Sequence, residues 1–287
     1  MPHFVLKKLT LIALLLMPFF SNAQKMEKSF NVASYNIKYD NPKDTANAWA
    51  IRKGEIAAMM RFNEVDILGI QEGLHHQVQA LDSLLPDHAY VGVGRDDGKE
   101  KGEYTALFYN KNLFEVLDSS RTFWLSPTPD TPSKGWDAAF PRICTWVTLK
   151  VIKTNDIIFV FNTHFDHVGT TAQLNSAELI LDQIKTIAEN NPVVLLGDFN
   201  IEPHSAPYEV LTQDFIDAFS ITQTPHFGPE ASFNNFDFYK TPSRRIDYIF
   251  VNNFFDVLRH GILNNHYNKK YPSDHFPVIA EIKFSID

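Results

Sequence analysis

Residues 193–200 read VVLLGDFN: an apolar run after Pro192, then a glycine, then Asp198 and Asn200 two positions apart. The apolar half has the length and β-branching of a buried strand. Its period of two would turn the carboxylate and the carboxamide to the same side. A core strand has no use for that pair, but a site at the strand's end does. Asp198 there could orient or deprotonate an attacking water, and Asn200 could hold that water or donate to a phosphate oxygen.

Five other segments share the design of an apolar run bounded by polar, proton-transferring or metal-competent groups. NVASYNI delivers Asn36, and DILGIQE delivers Gln71 and Glu72. IIFVFNTHFDH delivers Asn162, His164, Asp166 and His167, while RRIDYIFV and YPSDHFPV place Asp247, Asp274 and His275 at the heads of apolar runs. Taken singly, Asn and Asp at strand ends commonly serve as turn residues. His164 and His167, three apart, face opposite sides of a strand and enter one site only where that strand breaks. Joint occurrence carries the argument. Glu72 and Asn36 are hard oxygen donors suited to magnesium or manganese. His275 with Asp247 or Asp274 makes a His–carboxylate pair, which fixes a tautomer and stabilises the imidazolium. Phosphate-ester hydrolysis needs such a cation, an aimed water and preorganised donors. No GxSxG, Walker loop, GxGxxG or HExxH argues for other chemistry.

Positioning these groups requires many strands. Strand patterns cover Phe30–Ile37, Asp66–Gln71, Ala89–Gly94, Tyr104–Tyr109, Ile143–Val151, Ile157–Asn162, Val193–Leu196, Ile246–Val251 and Pro277–Phe284. Helical spacing marks 48–62, through Ile51, Ile56, Met59 and Met60, and 171–190, with Thr170 or Thr171 as N-cap. Many strands with few interspersed helices predict two packed sheets with helices outside, not a doubly wound parallel fold. The proline-rich stretch 126–141, SPTPDTPSKGWDAAFP, is a candidate substrate-facing lid or a loop covering a sheet end.

The chain has 287 residues, 44% of them hydrophobic, with a formal net charge of −8. Residues 1–23 read as a cleavable secretory leader: a basic start with Lys7 and Lys8, an apolar run, and Ser21-Asn22-Ala23 before cleavage. Residues 24–287 are then expected as one domain in the periplasm or medium, with no membrane span. Losing Lys7 and Lys8 leaves 24 of the 26 basic groups against 34 acids, a net of −10. That balance weighs against a stable complex with nucleic acid. Cys144 stands alone, so an exported chain relies on its core and not on an internal disulfide.

The ordered series SYNI, QE, PRICTW, NTHFDH, GDFN, RIDYIFV and SDHFPV resembles the endonuclease/exonuclease/phosphatase superfamily, especially its exported bacterial metal-dependent hydrolases. The resemblance runs from about Phe30 to Phe284. It implies a four-layer α/β sandwich, two central mixed sheets packed face to face, with the site at one edge. It also implies Glu72 as principal metal ligand with Asn36 beside it and Asp274 at the same or a second metal, the metal being magnesium or manganese. Asp198 matches the water-activating aspartate, Asn200 the transition-state asparagine, and His275 the histidine polarised by Asp247. His164 falls against the phosphate. Arg142 matches a phosphate-side arginine or a brace for the site. Ser232-Phe233 stands where many relatives carry Thr-Phe, and there is no basic insertion of the abasic-site endonuclease kind. The expected activity is a phosphodiesterase or phosphatase working as a monomer on a small or polymeric phosphate ester. The competing readings are an extracellular nuclease and a catalytically silent binding module.

Overall fold

The computed structural model describes residues 29–285, so the leader expected over 1–23 lies outside the described residues. Two six-stranded mixed sheets pack face to face. The first has the order β11 (Phe255–Ile262), β12 (Val278–Phe284), β1 (Phe30–Asn36), β2 (Ile67–Gln71), β4 (Leu107–Asn110), β3 (His88–Val91). The second runs β5 (Phe114–Trp124), β6 (Ile143–Val151), β7 (Ile157–His164), β8 (Val193–Asp198), β10 (Asp247–Val251), β9 (Ile216–Asp217). Each sheet has one parallel pair at its centre, β1 with β2 and β7 with β8, and antiparallel neighbours elsewhere. The crossovers carry α1 (Trp49–Phe62) and α3 (Thr170–Ala188), which lie outside their sheets together with α2 (His75–Leu84) and α4 (Ala206–Leu211). α5 (Ala218–Ile221) is a single turn against β10 and β11. The four-layer sandwich expected from the sequence is the observed architecture.

Strand parity explains the layering. In β2, Ile67, Gly69 and Gln71 face the other sheet while Leu68 and Ile70 face the helices. In β8, Val194 and Leu196 enter the core between the sheets, and Val193 and Leu195 pack under α3. Gly69 is required by close approach: a Cβ there would lie 2.0 Å from Leu196 Cδ1 and 2.8 Å from Asn162 Cγ. Gly197, before Asp198, would bring a Cβ within 2.2 Å of the Thr163 carbonyl oxygen.

Several local expectations are corrected. Strands β5 and β11 and helix α2 were not legible, because β5 carries a register break between Val116 and Ser120 and α2 opens on two histidines. In α1, Ile51 is 48% exposed, and the buried stripe runs instead through Trp49, Arg52, Ile56, Met59 and Met60. Arg52 is buried because carbonyls satisfy it: Asn47 at 2.6 Å, Ile37 at 2.7 Å, Pro272 at 2.8 Å and Lys38 at 3.0 Å. Neither Thr170 nor Thr171 caps α3. Asp137, from the 126–141 loop, accepts the N–H groups of Ala172 at 2.7 Å and Thr171 at 3.3 Å.

Candidate active site

The inward-facing residues of the central strands change character along the sandwich. Apolar side chains such as Val32, Ile67, Val160 and Leu196 fill the middle. Next comes a polar layer joining the sheets. Gln71 Nε2 donates to Asn162 Oδ1 at 2.7 Å, and Asn162 Nδ2 donates to the Ile70 and Ala106 carbonyls, both at 2.9 Å. Gln71 and Asn162, which the sequence places among the strand-end chemistry, are therefore structural cross-links. One strand period beyond Asn162 lies the terminal layer of the second sheet, His164, Asp198 and Asp247, and Asn36, the register partner of Gln71, meets it from the first.

Asp198 Oδ2 is the meeting point. Asn36 Nδ2 donates to it at 2.9 Å from the other sheet, His164 Nε2 lies 3.5 Å away and His275 Nε2 3.8 Å away. His164 and Asp198 are register partners in the parallel pair, as are Asp198 and Asp247 in the antiparallel one. His275 Nδ1 pairs with Asp247 Oδ2 at 2.8 Å. The histidine partner left open between Asp247 and Asp274 is thus Asp247, and Nδ1–H donates to it while Nε2 turns to Asp198. Ser232 Oγ, accepting the Ile246 and Asp247 N–H groups at 3.0 and 3.1 Å, holds the head of β10, and the Phe233 ring meets His275 edge-on at 5.0 Å.

Electrostatics follow from this crowding. Burial, then Asp247 and Glu72, push Asp198 up to about 7 against the opposing pull of His275 and Asn36. Burial disfavours the His275 imidazolium, but Asp247 and Asp198 outweigh it and raise the histidine to about 10. His164 goes the other way: burial, then Arg142 and Arg95, hold it well below its ordinary value. The layer therefore contains a charged histidine, a neutral one, and a carboxylate poised near neutrality between them.

Beside it lie the oxygen donors. Glu72 Oε1 accepts from Asn36 Nδ2 at 3.1 Å and Oε2 from the Tyr39 N–H at 3.3 Å. Asn36 works here through its amide, since its Oδ1 accepts the Lys38 N–H at 3.1 Å. Asp274 joins from the loop before β12. The Lys38 ammonium lies 3.1 Å from Asp274 Oδ2 and 3.4 Å from Glu72 Oε2, so this corner holds a cation already. The carboxylates fit a hard divalent ion. A second grouping, Asp198, Asp247 and His275, has its ligand atoms within 4.8 Å of one another and is also compatible with one.

Asn200 lies just past the strand, with φ +52 rather than extended backbone. Its N–H donates to Asp198 Oδ1 at 3.0 Å and its Nδ2 to the Phe165 carbonyl at 3.1 Å. Lys38 (φ +56) and Glu72 (φ +62) share that conformation, which non-glycine residues adopt at a cost.

Arg142 sits behind His164. Its Nε lies 3.4 Å from Asp166 Oδ2, an NH2 contact of 3.0 Å reaches His167 Nδ1, and NH1 is buried with no hydrogen-bond partner among the described residues. Strand β7 does end at His164, so His167 turns away from Asp198 and braces Arg142. Asp166 also accepts the N–H groups of Ala139, Phe140, Val168 and Gly169 at 2.8 to 3.3 Å.

Three site residues escaped the sequence reading. Lys38 is two positions after Asn36, a spacing that strand parity could have flagged. Glu103 lies 3.9 Å from His164 Nδ1 and pairs with Arg95 at 2.5 Å, and both come from a loop with no strand-end signature.

Known structures share this fold. The chain is 39% identical to a mannosyl-6-phosphatase of Bacteroides thetaiotaomicron, covering 89% of this chain and 100% of that one with a TM-score of 0.86. An endonuclease/exonuclease/phosphatase family protein of the same organism is 39% identical over 91% and 99%, with a TM-score of 0.87. An endonuclease/exonuclease/phosphatase of Bacteroides vulgatus is 40% identical over 90% and 100%, with a TM-score of 0.86. The chain spans 60% and 44% of the lengths of two curated relatives, uncharacterized proteins of Acanthamoeba polyphaga mimivirus, at 26% and 23% identity over 54% and 89% of this chain. The family model of the endonuclease/exonuclease/phosphatase family matches residues 29–275, and the chain belongs to that family of phosphoester hydrolases.

Proposed function

We propose that the chain is an exported, magnesium- or manganese-dependent phosphoesterase that releases phosphate from a sugar phosphomonoester. The observation that carries the chemistry is the triple approach to Asp198 Oδ2 by Asn36, His164 and His275 beside Glu72 and Asp274. The identity of 39% with a mannosyl-6-phosphatase over 89% of the chain supports the monoester and sugar part of the reading.

Glu72 and Asp274 would hold the ion, with Asn36 aiming Glu72. When bound, the ion polarises the phosphoryl oxygens and offsets the charge that builds on them. Asp198 aims a water and takes its proton, a role matched by a pKa of about 7. The His275 imidazolium, held by Asp247, donates through Nε2 to a phosphoryl oxygen, and Asn200 donates beside it. Neutral His164 orients the phosphate from the opposite side, and the Arg142 charge favours the anion from behind. Export rests on the leader read in residues 1–23, and a secreted product beginning at Gln24 is its direct check.

The test is phosphate release from mannose 6-phosphate and from a chromogenic phosphodiester by chelator-stripped protein, with and without added Mg²⁺ or Mn²⁺. Metal-restored turnover of the monoester, lost in Asp198→Asn, is the expected result. Preference for the diester would overturn the monoester assignment. Absence of turnover together with absence of metal-induced thermal stabilisation would favour a silent binding module.

A further inference from the structure

Lys38 is not part of any role assigned above, yet its ammonium lies between the two carboxylates expected to take the metal. It is 3.1 Å from Asp274 Oδ2 and 3.4 Å from Glu72 Oε2. These residues come from three separate places: the turn after β1, the end of β2, and the loop before β12. Two carboxylates held this close repel each other unless a cation lies between them. The chain supplies that cation itself.

The placement is built. Lys38 sits at φ +56, outside the region non-glycine residues prefer, and the Glu72 backbone that meets it is at φ +62. The Arg52 guanidinium grips the Lys38 carbonyl at 3.0 Å and the Ile37 carbonyl at 2.7 Å, which fixes the turn. The Lys38 N–H donates to Asn36 Oδ1 at 3.1 Å, so the turn also orients the carboxamide that holds Glu72. In contrast to this fixed backbone, the side chain is 30% exposed, and its ammonium also lies 5.1 Å from the Tyr39 ring centroid.

We propose that Lys38 is a resident counter-cation that competes with the divalent ion for the gap between Glu72 and Asp274, holding the two carboxylates together in the metal-free chain and swinging out when metal enters. The inference rests on the metal-dependent reading above. An ammonium and a divalent ion cannot share that gap, because like charges a few ångströms apart in a half-buried setting repel strongly. The metal must therefore displace Lys38, and its apparent affinity is reduced by whatever the ammonium contributes to holding Glu72 and Asp274. In return, the metal-free chain keeps its carboxylates assembled instead of splayed.

The test uses the full chain stripped with chelator and Mn²⁺ alone as ligand, followed by titration calorimetry and by melting temperature. Lys38→Met should bind Mn²⁺ at least about fivefold more tightly than the wild type, since a competing charge is gone. Its metal-free melting temperature should fall, and its gain on saturation with Mn²⁺ should exceed that of the wild type. Equal or weaker Mn²⁺ affinity in Lys38→Met would overturn the proposal and make Lys38 an orienting group for the ligands. A second measurement needs no loss of the side chain. In protein with ¹³C-dimethylated lysines, which keep their charge, the Lys38 signal, identified by its absence in Lys38→Arg, should move toward that of exposed lysines as Mg²⁺ is added. An unmoved signal at saturating Mg²⁺ would overturn the displacement. Failure of the wild type to bind either ion would instead sink the metal-dependent reading itself, and this inference with it.

Discussion

At the scale of single residues, the site is a contest over the protons of a few buried groups. His275 is kept charged by Asp247 first and Asp198 second, with Asp247 accepting from Nδ1 at 2.8 Å while its own N–H is fixed on Ser232 Oγ at 3.1 Å. Asp247→Asn keeps the shape but removes the charge, so the imidazolium loses its support and the tautomer its bias. The expected outcome is a fall in kcat of about 10²–10⁴-fold with little change in KM or melting temperature. Steady-state kinetics on metal-loaded enzyme check it, and a loss under tenfold would mean that His275 does not work as a charged donor. Asp198, Asp247, His275 and Glu72 were legible in the sequence because each follows or precedes an apolar run on the same strand, and strand parity is a local property. Lys38, Arg95, Glu103 and the buried Arg52 were not. Three of them are explained by partners distant in the chain, Lys38 by Asp274, Glu103 by His164 and Arg52 by the Pro272 carbonyl, and Arg95 by its pairing with Glu103.

At the scale of elements, the 126–141 segment, which the sequence offers as a lid, is strapped at two points. Asp137 caps α3, and Asp166, just beyond β7, gathers the Ala139 and Phe140 N–H groups together with Arg142. A proline-rich loop gives no hint in sequence that its fixings lie some 30 residues onward. The strap also has a pH signature. Burial pushes Asp166 up, but the N–H groups of Gly169, Ala139 and Val168 and the Arg142 charge outweigh it and hold the acid at about 2. The unfolded chain binds that proton near the ordinary aspartate value of 3.8, so the unfolded state holds more protons between these two values. Stability from this group is complete above 3.8 and is lost as pH falls toward 2. Asp166→Asn should therefore destabilise the protein at neutral pH by about 3 kcal/mol, since it leaves Arg142 buried without its charge partner. It should also flatten that part of the acid limb of a denaturation-versus-pH series. An acid limb identical to that of the wild type would show that the strap carries no such energy.

At the scale of the whole molecule, the two sheets repeat one plan: a parallel pair at the centre, a helical crossover outside, antiparallel strands flanking it. Sequence gave no sign of the repeat, because equivalent strands share only their parity and not their residues. The plan explains why the site lies where it does. The carboxyl ends of both parallel pairs reach the same end of the sandwich, and Asn36 of one sheet touches Asp198 of the other at 2.9 Å. Catalytic geometry is thus inter-sheet geometry, set by the spacing between sheets. Gly69 and Leu196 control that spacing, because a Cβ on residue 69 would fall 2.0 Å from Leu196 Cδ1. Gly69→Ala alone must push the sheets apart or force Leu196 off its rotamer, and should cost about 1–3 kcal/mol. Leu196→Ala alone opens a cavity and should cost about 2–5 kcal/mol. Together the new methyl group enters the space the leucine leaves and is left only with the lesser approach to Asn162, 2.8 Å from Cγ, so the double variant should be more stable than the sum of the single losses implies by at least about 1 kcal/mol. Activity should follow the same cycle, lowered in Gly69→Ala and partly recovered in the double variant, because relieving the collision brings Asn36 back to Asp198. Denaturant melts and kinetics on the four proteins measure both cycles. Recovery of stability without recovery of turnover would show that the site tolerates a shift between the sheets and is held by its own hydrogen bonds instead.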